Sequence, residues 1–194
     1  MRVICITGPI ASGKTQVVSI LQQRFSLPTI KMDYVGHFLL HKEYVIRQVR
    51  LLLGEDVIVD GRISRRKVAK KVFSDATLLE RYNKFIHPLM LREASKLIYH
   101  FQALGYNTIL LEAAILFEAG WVGLCSEVWS VISPPKYVLG RLGLEKFYRF
   151  YIPRRKHQQP DIFYKENADI VICNNGGIDK LSVEVINAFL GQKK

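Results

Sequence analysis

The feature that most limits what this chain can fold into lies near its amino end. Gly8-Pro9-Ile10-Ala11-Ser12-Gly13-Lys14-Thr15 fits the pattern GxxxxGK[ST]. An apolar, β-branched run, Arg2 to Thr7, leads into it. Immediately afterwards Val17, Ile20, Leu21 and Phe25 place one apolar stripe at helical spacing on Lys14 to Phe25. A strand, this loop and a helix in direct succession are what a phosphate-binding loop requires. Gly8 and Gly13 let the backbone curl so that successive N–H groups face phosphate oxygens, and the amino end of the helix adds its partial positive charge. Lys14 is then expected to reach the β and γ phosphates of a nucleotide and the Thr15 hydroxyl to ligate Mg²⁺. The motif predicts nucleotide binding but names no reaction.

Four more runs read as strands: Thr29 to Asp33, Thr108 to Glu112, Val128 to Ile132 and Ile170 to Cys173. Most are continuously apolar rather than alternating, as in a parallel sheet covered on both faces, so an α/β fold with five parallel strands flanked by helices is expected. The interval from Asp33 to Thr108 is far longer than one crossover helix needs. Tyr34 to Leu53 and Leu78 to Phe101 both read as helical, which predicts a helical insert over 34–101 within a core formed by 1–33 and 102–194. A second irregular stretch within 136–161 carries Lys136, Arg141, Lys146, Arg149, Arg154, Arg155 and Lys156, with Glu145 the one carboxylate before Asp161. Such a run is also what a solvated helix face looks like.

At 194 residues the chain suits one α/β domain with an insertion, and 49% hydrophobic content allows it to bury a core. The apolar start stops at Thr7, too short for a signal segment, and no later run approaches the roughly 20 residues that span a bilayer, so a cytoplasmic protein is expected. Cys5, Cys125 and Cys173 are odd in number and widely spaced, which predicts buried thiols rather than a disulfide or a metal site. The net charge of +11 favours polyanionic partners: nucleic acid, an anionic membrane, or small molecules carrying several phosphates.

A phosphate loop working with Mg²⁺ usually has an acidic residue on a neighbouring strand. Glu112 ends one apolar run and Asp60 another, Asp56 to Val59; Asp60 precedes Gly61 inside the insert, where a turn is the expected role, so Glu112 is preferred, acting on Mg²⁺ through water. Asp33, at the carboxyl end of the second predicted strand, is placed to accept a proton from an attacking hydroxyl. The bland alternative makes it the N-cap of a helix starting at Tyr34.

With these residues in place the chain resembles the dephospho-CoA kinase family over nearly its whole length. The likeness rests on the phosphate loop, Asp33, Asp60-Gly61-Arg62-Ile63-Ser64-Arg65, Val72-Phe73, His87-Pro88, Leu116-Phe117-Glu118, Arg141 and Ala168 to Asn174. It implies phosphorylation of the ribose 3′-hydroxyl of dephospho-CoA by ATP, giving CoA and ADP. It further implies a CoA-binding role for the helical insert and a mobile lid near Arg141. Carried over, Asp33 is the general base, and Lys14 with Arg141 neutralises the transferring phosphoryl group. Arg65 and His87, with Asp33 and Glu112, seat the acceptor. Gly8, Ala11, Ser12, Gly13, Lys14, Thr15, Gln16 and Asn174 hold the nucleotide, Asn174 beside the adenine, and Gln158 stands for the family's lid glutamine. The resemblance also implies no nucleic-acid or membrane partner and a monomer or weak homo-oligomer.

The chain departs from the family pattern in three places, one of them the lid, Arg141 to Gln159, which aligns only loosely. Lys31-Met32-Asp33 stands where Asp-Ala-Asp is common, and Glu112-Ala113-Ala114 replaces a segment with aspartate and proline. Two other readings therefore stay open: a weakened homologue that only binds nucleotide or CoA, and a nucleic-acid-binding NTPase. The second is suggested by the aromatic and basic run Phe147-Tyr148-Arg149-Phe150-Tyr151, although packing of a lid helix is the expected role of those rings. A GTPase is disfavoured, because Asn83-Lys84 is followed by Phe85-Ile86 and no Asn-Lys-x-Asp occurs. His37 and His41 share a helix face without the further ligand a zinc site needs, so packing or substrate contact is expected of them. Trp121 and Trp129 are expected in the core or an interface, and a helix boundary is expected at His87-Pro88.

Overall fold

The computed structural model describes residues 1–191; the last three residues of the core span expected over 102–194 lie outside them. The chain runs β1 (Arg2–Thr7), α1 (Lys14–Phe25), β2 (Thr29–Lys31), α2 (Met32–Leu39), α3 (Glu43–Leu53), β3 (Ile58–Val59), β4 (Arg62–Ile63), α4 (Arg65–Val72) and α5 (Ala76–Ala103). It continues with β5 (Thr108–Glu112), β6 (Glu127–Ile132), α6 (Pro135–Lys146), α7 (Ile152–Arg155), α8 (Asp161–Glu166), β7 (Ile170–Cys173) and α9 (Ile178–Phe189). By contacts it divides into two units: Met1–Ile30 with Phe101–Lys194, and Lys31–His100.

The first unit holds the expected five-stranded sheet, ordered β2-β5-β1-β6-β7. Strand β1 pairs in parallel with β5, Ile4 opposite Leu110, and with β6, Ile6 opposite Trp129; β6 pairs in parallel with β7. Ile4, Ile6, Leu110, Trp129, Val131 and Ile172 of the sheet pack with Val17, Val18 and Leu21 of α1 and Leu181 and Val185 of α9. Phe25 and Phe189 close one end of this layer with ring centres 4.2 Å apart. Burying such side chains stabilises by about 1.5–3 kcal/mol each before the entropy of ordering is counted, so the cluster fixes the frame on which the loop is built. Trp121 and Trp129 are both in the core, as expected.

The cysteines depart from expectation. Cys5 and Cys125 form a disulfide, and Cys173 alone is a free thiol. Spacing could not reveal the pair, because 120 residues separate the two in sequence. Sheet order brings them together: Cys5 lies on β1, and Cys125 ends the short 3₁₀ turn Trp121–Leu124 that leads into its neighbour β6.

The second unit is mainly helical. The helix expected over Tyr34 to Leu53 is two, α2 and α3, because the apolar stripe changes phase. Val35 and Leu39 point to positions 42 and 43, which are Lys and Glu, and the stripe restarts at Val45, Val49 and Leu53. No boundary falls at His87-Pro88. Pro88 lies inside α5, where the lost hydrogen bond and ring clash cost about 3 kcal/mol. Ile86, Met90 and Ala94, buried at four-residue spacing, hold the helix together through it. Asp60 takes the turn role expected of it: with Gly61 it makes the two-residue link between antiparallel β3 and β4, at φ 49° and 72°. Among the described residues no helix is long and apolar enough to cross a membrane.

Candidate functional site

The loop after β1 has the backbone its glycines foretold. Gly8 (φ 136°), Ala11 (φ 57°) and Gly13 (φ 104°) all have positive φ, the kind of backbone from which anion-binding loops are built. Thr15 opens α1 beside Lys14, so the positive end of that helix faces the same hollow. The Lys14 ammonium arches over its own loop, donating to the carbonyls of Gly8 (2.9 Å) and Pro9 (2.8 Å). Neutral carbonyls are weaker partners for an ammonium than phosphate oxygens, so a polyphosphate can take the cation from them. Ser12 is buried with a hydroxyl that has no protein partner, a polar atom suited to a bound anion.

Glu112 stands where the sequence reading put it, at the end of β5, and its Oε1 accepts a hydrogen bond from Thr15 Oγ1 at 2.6 Å. These are hard oxygen donors on adjoining groups. Mg²⁺ is normally held by one or two such groups, with waters and substrate phosphates completing the octahedron, so the pair fits that ion. Among the described residues no three His, Cys, Asp or Glu side chains gather to hold a metal by themselves.

The remaining nucleotide-set residues support the loop from behind. Asn174, just past β7 and buried, donates through Nδ2 to the Ser12 carbonyl at 2.9 Å and to Gln16 Oε1 at 3.3 Å. Gly13 has no room for a side chain, since a Cβ there would fall 2.2 Å from the Asn174 amide nitrogen. Arg141 reaches the loop from α6: its Nη2 donates to Ala11 O at 3.1 Å and to Ser133 Oγ at 2.8 Å. Desolvation there lowers its pKa below the ordinary arginine value, while a guanidinium still keeps its charge.

Helix α6 breaks at Gly143 (φ 75°, ψ 163°), and the chain continues through a π-helical turn, Phe147–Tyr151. Phe147 and Tyr151 stack at 4.9 Å and pack with Val138 against Ile10 and Ala11 of the loop. The end rings of the run, Phe147 and Tyr151, are therefore packing residues, while Tyr148 and Phe150 stay exposed. Gln158 returns to the loop, its Oε1 accepting the Ile10 N–H at 2.8 Å. Arg155 steadies that turn by donating to Asp161 and to the carbonyls of Gln158 and Gln159. Sequence reasoning missed Ser133: nothing marks a serine before Pro134-Pro135, and its contacts depend on which strands are neighbours.

The second unit carries the residues expected to meet an acceptor. Strand β2 ends at Lys31, so Asp33 lies on no strand; it occupies the first turn of α2, and Lys31 rather than Asp33 is the N-cap. Asp33 and Arg65 are each within electrostatic reach of His37. Burial lowers the His37 pKa, Arg65 lowers it further, and Asp33 opposes both by favouring the imidazolium. His41 packs its ring nitrogen 2.9 Å from the His37 carbonyl. Burial raises the Tyr82 pKa while Arg65 works against the rise. His87, on α5, is half-buried, and burial draws its pKa down. Elsewhere in this unit an open groove of about 460 Å³ is lined by Leu51, Leu52, Phe85, Arg81, Lys84 and Gln48.

A parallel sheet whose first strand feeds a positive-φ loop, with lysine and threonine at the head of the next helix and a carboxylate on the threonine, defines a P-loop nucleotide-binding protein. The family model for dephospho-CoA kinase matches residues 2–180, and the chain belongs to that family. It is similar to the dephospho-CoA kinase of Dehalococcoides mccartyi, 32% identical over 180 residues that cover 90% of this chain and 89% of the relative. It is equally similar to that of Carboxydothermus hydrogenoformans, 32% identical over 192 residues covering 96% and 92%. A crystal structure of a Thermus thermophilus protein superposes with a TM-score of 0.79 at 27% identity, covering 100% of this chain and 98% of that one.

Proposed function

We propose that this chain transfers the γ-phosphoryl group of ATP to the ribose 3′-hydroxyl of dephospho-CoA, releasing CoA and ADP. The observation that carries the reading is that the family match runs through the insert as well as the loop, over residues 2–180. In this scheme the loop amides, the Ser12 hydroxyl and Lys14 bind the polyphosphate, and Arg141 offsets charge on the group in flight. Asp33 accepts the acceptor's proton as its oxygen attacks phosphorus. Arg65 and His87 seat the acceptor's anionic groups. Phosphoryl transfer asks little more of a protein than positioning and charge neutralisation. A groove that combines Leu51, Leu52 and Phe85 with Arg81 and Lys84 also suits an acceptor that joins phosphates to a long uncharged arm.

Mg²⁺, when bound, offsets charge on the β and γ phosphates. Thr15 and Glu112 are the residues that would hold it. Glu112→Gln should raise the Mg²⁺ concentration needed for half-maximal rate by about 10- to 100-fold, the range typical for losing an orienting partner of a metal ligand. A Mg²⁺ titration of the steady-state rate reads this, and an unchanged requirement removes Glu112 from the metal's surroundings.

The deciding experiment offers dephospho-CoA, shikimate and nucleoside monophosphates with ATP and Mg²⁺ and follows products by mass spectrometry. Dephospho-CoA alone should gain one phosphate, with one ADP formed per product. Nucleotide binding without any phosphorylated product would favour the weakened homologue. Salt-sensitive DNA or RNA binding in place of turnover would favour the nucleic-acid reading. We further propose a monomer or weak homo-oligomer in the cytoplasm.

A further inference from the structure

We infer that Ser133 is a positioning residue: its hydroxyl holds Arg141 against the phosphate loop, with its own direction fixed by Asn174. The role given to Arg141 in phosphoryl transfer rests on the reading above, whereas the contact itself does not. Ser133 Oγ lies 2.7 Å from the main-chain carbonyl oxygen of Asn174 and 2.8 Å from Arg141 Nη2. A carbonyl oxygen has no proton to give and a guanidinium no lone pair to offer, so the polarity of the chain is forced. Ser133 must donate to Asn174 and accept from Arg141. Alanine can do neither.

Asn174 sits at both ends of the connection. Its side-chain amide donates to the Ser12 carbonyl inside the loop, and its main-chain carbonyl orients Ser133. The same Arg141 nitrogen also donates to Ala11 O at 3.1 Å. Arg141 is thus located by two acceptors whose positions are set by the loop and by the ends of β6 and β7. Ser133 and Asn174 are both buried, which excludes water as a competing partner and lets one hydroxyl fix a long, otherwise rotameric side chain. Placing the cation before the substrate arrives lowers the reorganisation needed at the moment of transfer.

The test compares wild type, Ser133→Ala, Arg141→Ala and the double variant for kcat and for KM of ATP, with dephospho-CoA as acceptor. Ser133→Ala should lower kcat about 10- to 100-fold, the scale of a misplacement near 1 Å, and leave KM for ATP within about 3-fold. In the Arg141→Ala background the same substitution should cost nothing further, because a residue acting through another has no effect once that other is gone. Losses that multiply, or an unchanged kcat in the single variant, overturn the inference. Nitrogen-15 NMR of the arginine side chains decides the contact independently of any acceptor. The Arg141 Nη–H signals should be resolved and slowly exchanging in wild type and averaged in Ser133→Ala. Averaged signals in wild type overturn the inference even if the variant fails to fold. A wild type with resolved signals and no turnover of dephospho-CoA would sink the functional reading and leave the positioning contact standing.

Discussion

Asp33→Asn should lower kcat by about 10³-fold, or about 4 kcal/mol of transition-state stabilisation, within the 10² to 10⁴ range for loss of a general base. Asparagine keeps the shape of the side chain and removes its capacity to take a proton. Asp33 lies outside the phosphate loop, in the first turn of α2, so affinity for a non-hydrolysable ATP analogue should stay within about 2-fold. A second readout checks that the substitution acts where intended. The Asp33 carboxylate favours the charged form of His37, and its removal should move the His37 titration to lower pH. Stopped-flow or coupled ADP release gives the first quantity, and proton NMR of the histidine rings the second. A variant turning over within a few-fold of wild type ends the case for Asp33 as base. A shifted His37 with a normal rate would show that the carboxylate was removed from its electrostatic setting without consequence for chemistry.

Gly8→Ala should be nearly as damaging by a different route. Gly8 lies at φ 136°, and a Cβ built there falls 2.1 Å from the carbonyl oxygen of Val131. That oxygen belongs to β6, the strand paired with β1 in the middle of the sheet, so relief requires moving either the sheet or the loop. Both conformational strain and a backbone clash are imposed, which places the expected loss of unfolding free energy above about 4 kcal/mol, in the range reserved for severe backbone and core lesions. Urea denaturation followed by circular dichroism measures it, and nucleotide-analogue binding should vanish alongside. Gly140→Ala is the matched control: α6 leaves open space around that Cβ, and a helical alanine is favoured over glycine by about 1 kcal/mol. If the two variants unfold alike, the loop does not have the backbone described.

The parts of this molecule that local physics determines were legible in its sequence. Glycine spacing foretold the positive-φ loop, and the span of α1 followed from its apolar stripe and matches residue for residue. The Asp60-Gly61 turn was readable because two consecutive left-handed residues suit few other pairs. Glu112 was reachable because a strand-end carboxylate beside such a loop has chemical use. What stayed hidden depends on partners distant in sequence. Pro88 continues a helix against its own preference because Ile86, Met90 and Ala94 are buried around it. The early end of β2 reflects competition between strand and helix at Met32, which packing rather than pattern decided; Met32 is almost wholly buried. Ser133 and Asn174 meet because β6 and β7 are neighbours, a fact of topology that no window of residues contains.

The bond between Cys5 and Cys125 encloses the whole of the Lys31–His100 unit within one covalent ring. A protease that nicks the insert therefore produces no separable fragments: the amino-terminal strand and the carboxyl-terminal half remain tethered until the sulfurs are reduced. The ring also restricts the unfolded chain over its 120-residue span, so the denatured protein is denied many of the extended shapes open to a linear polymer of this length.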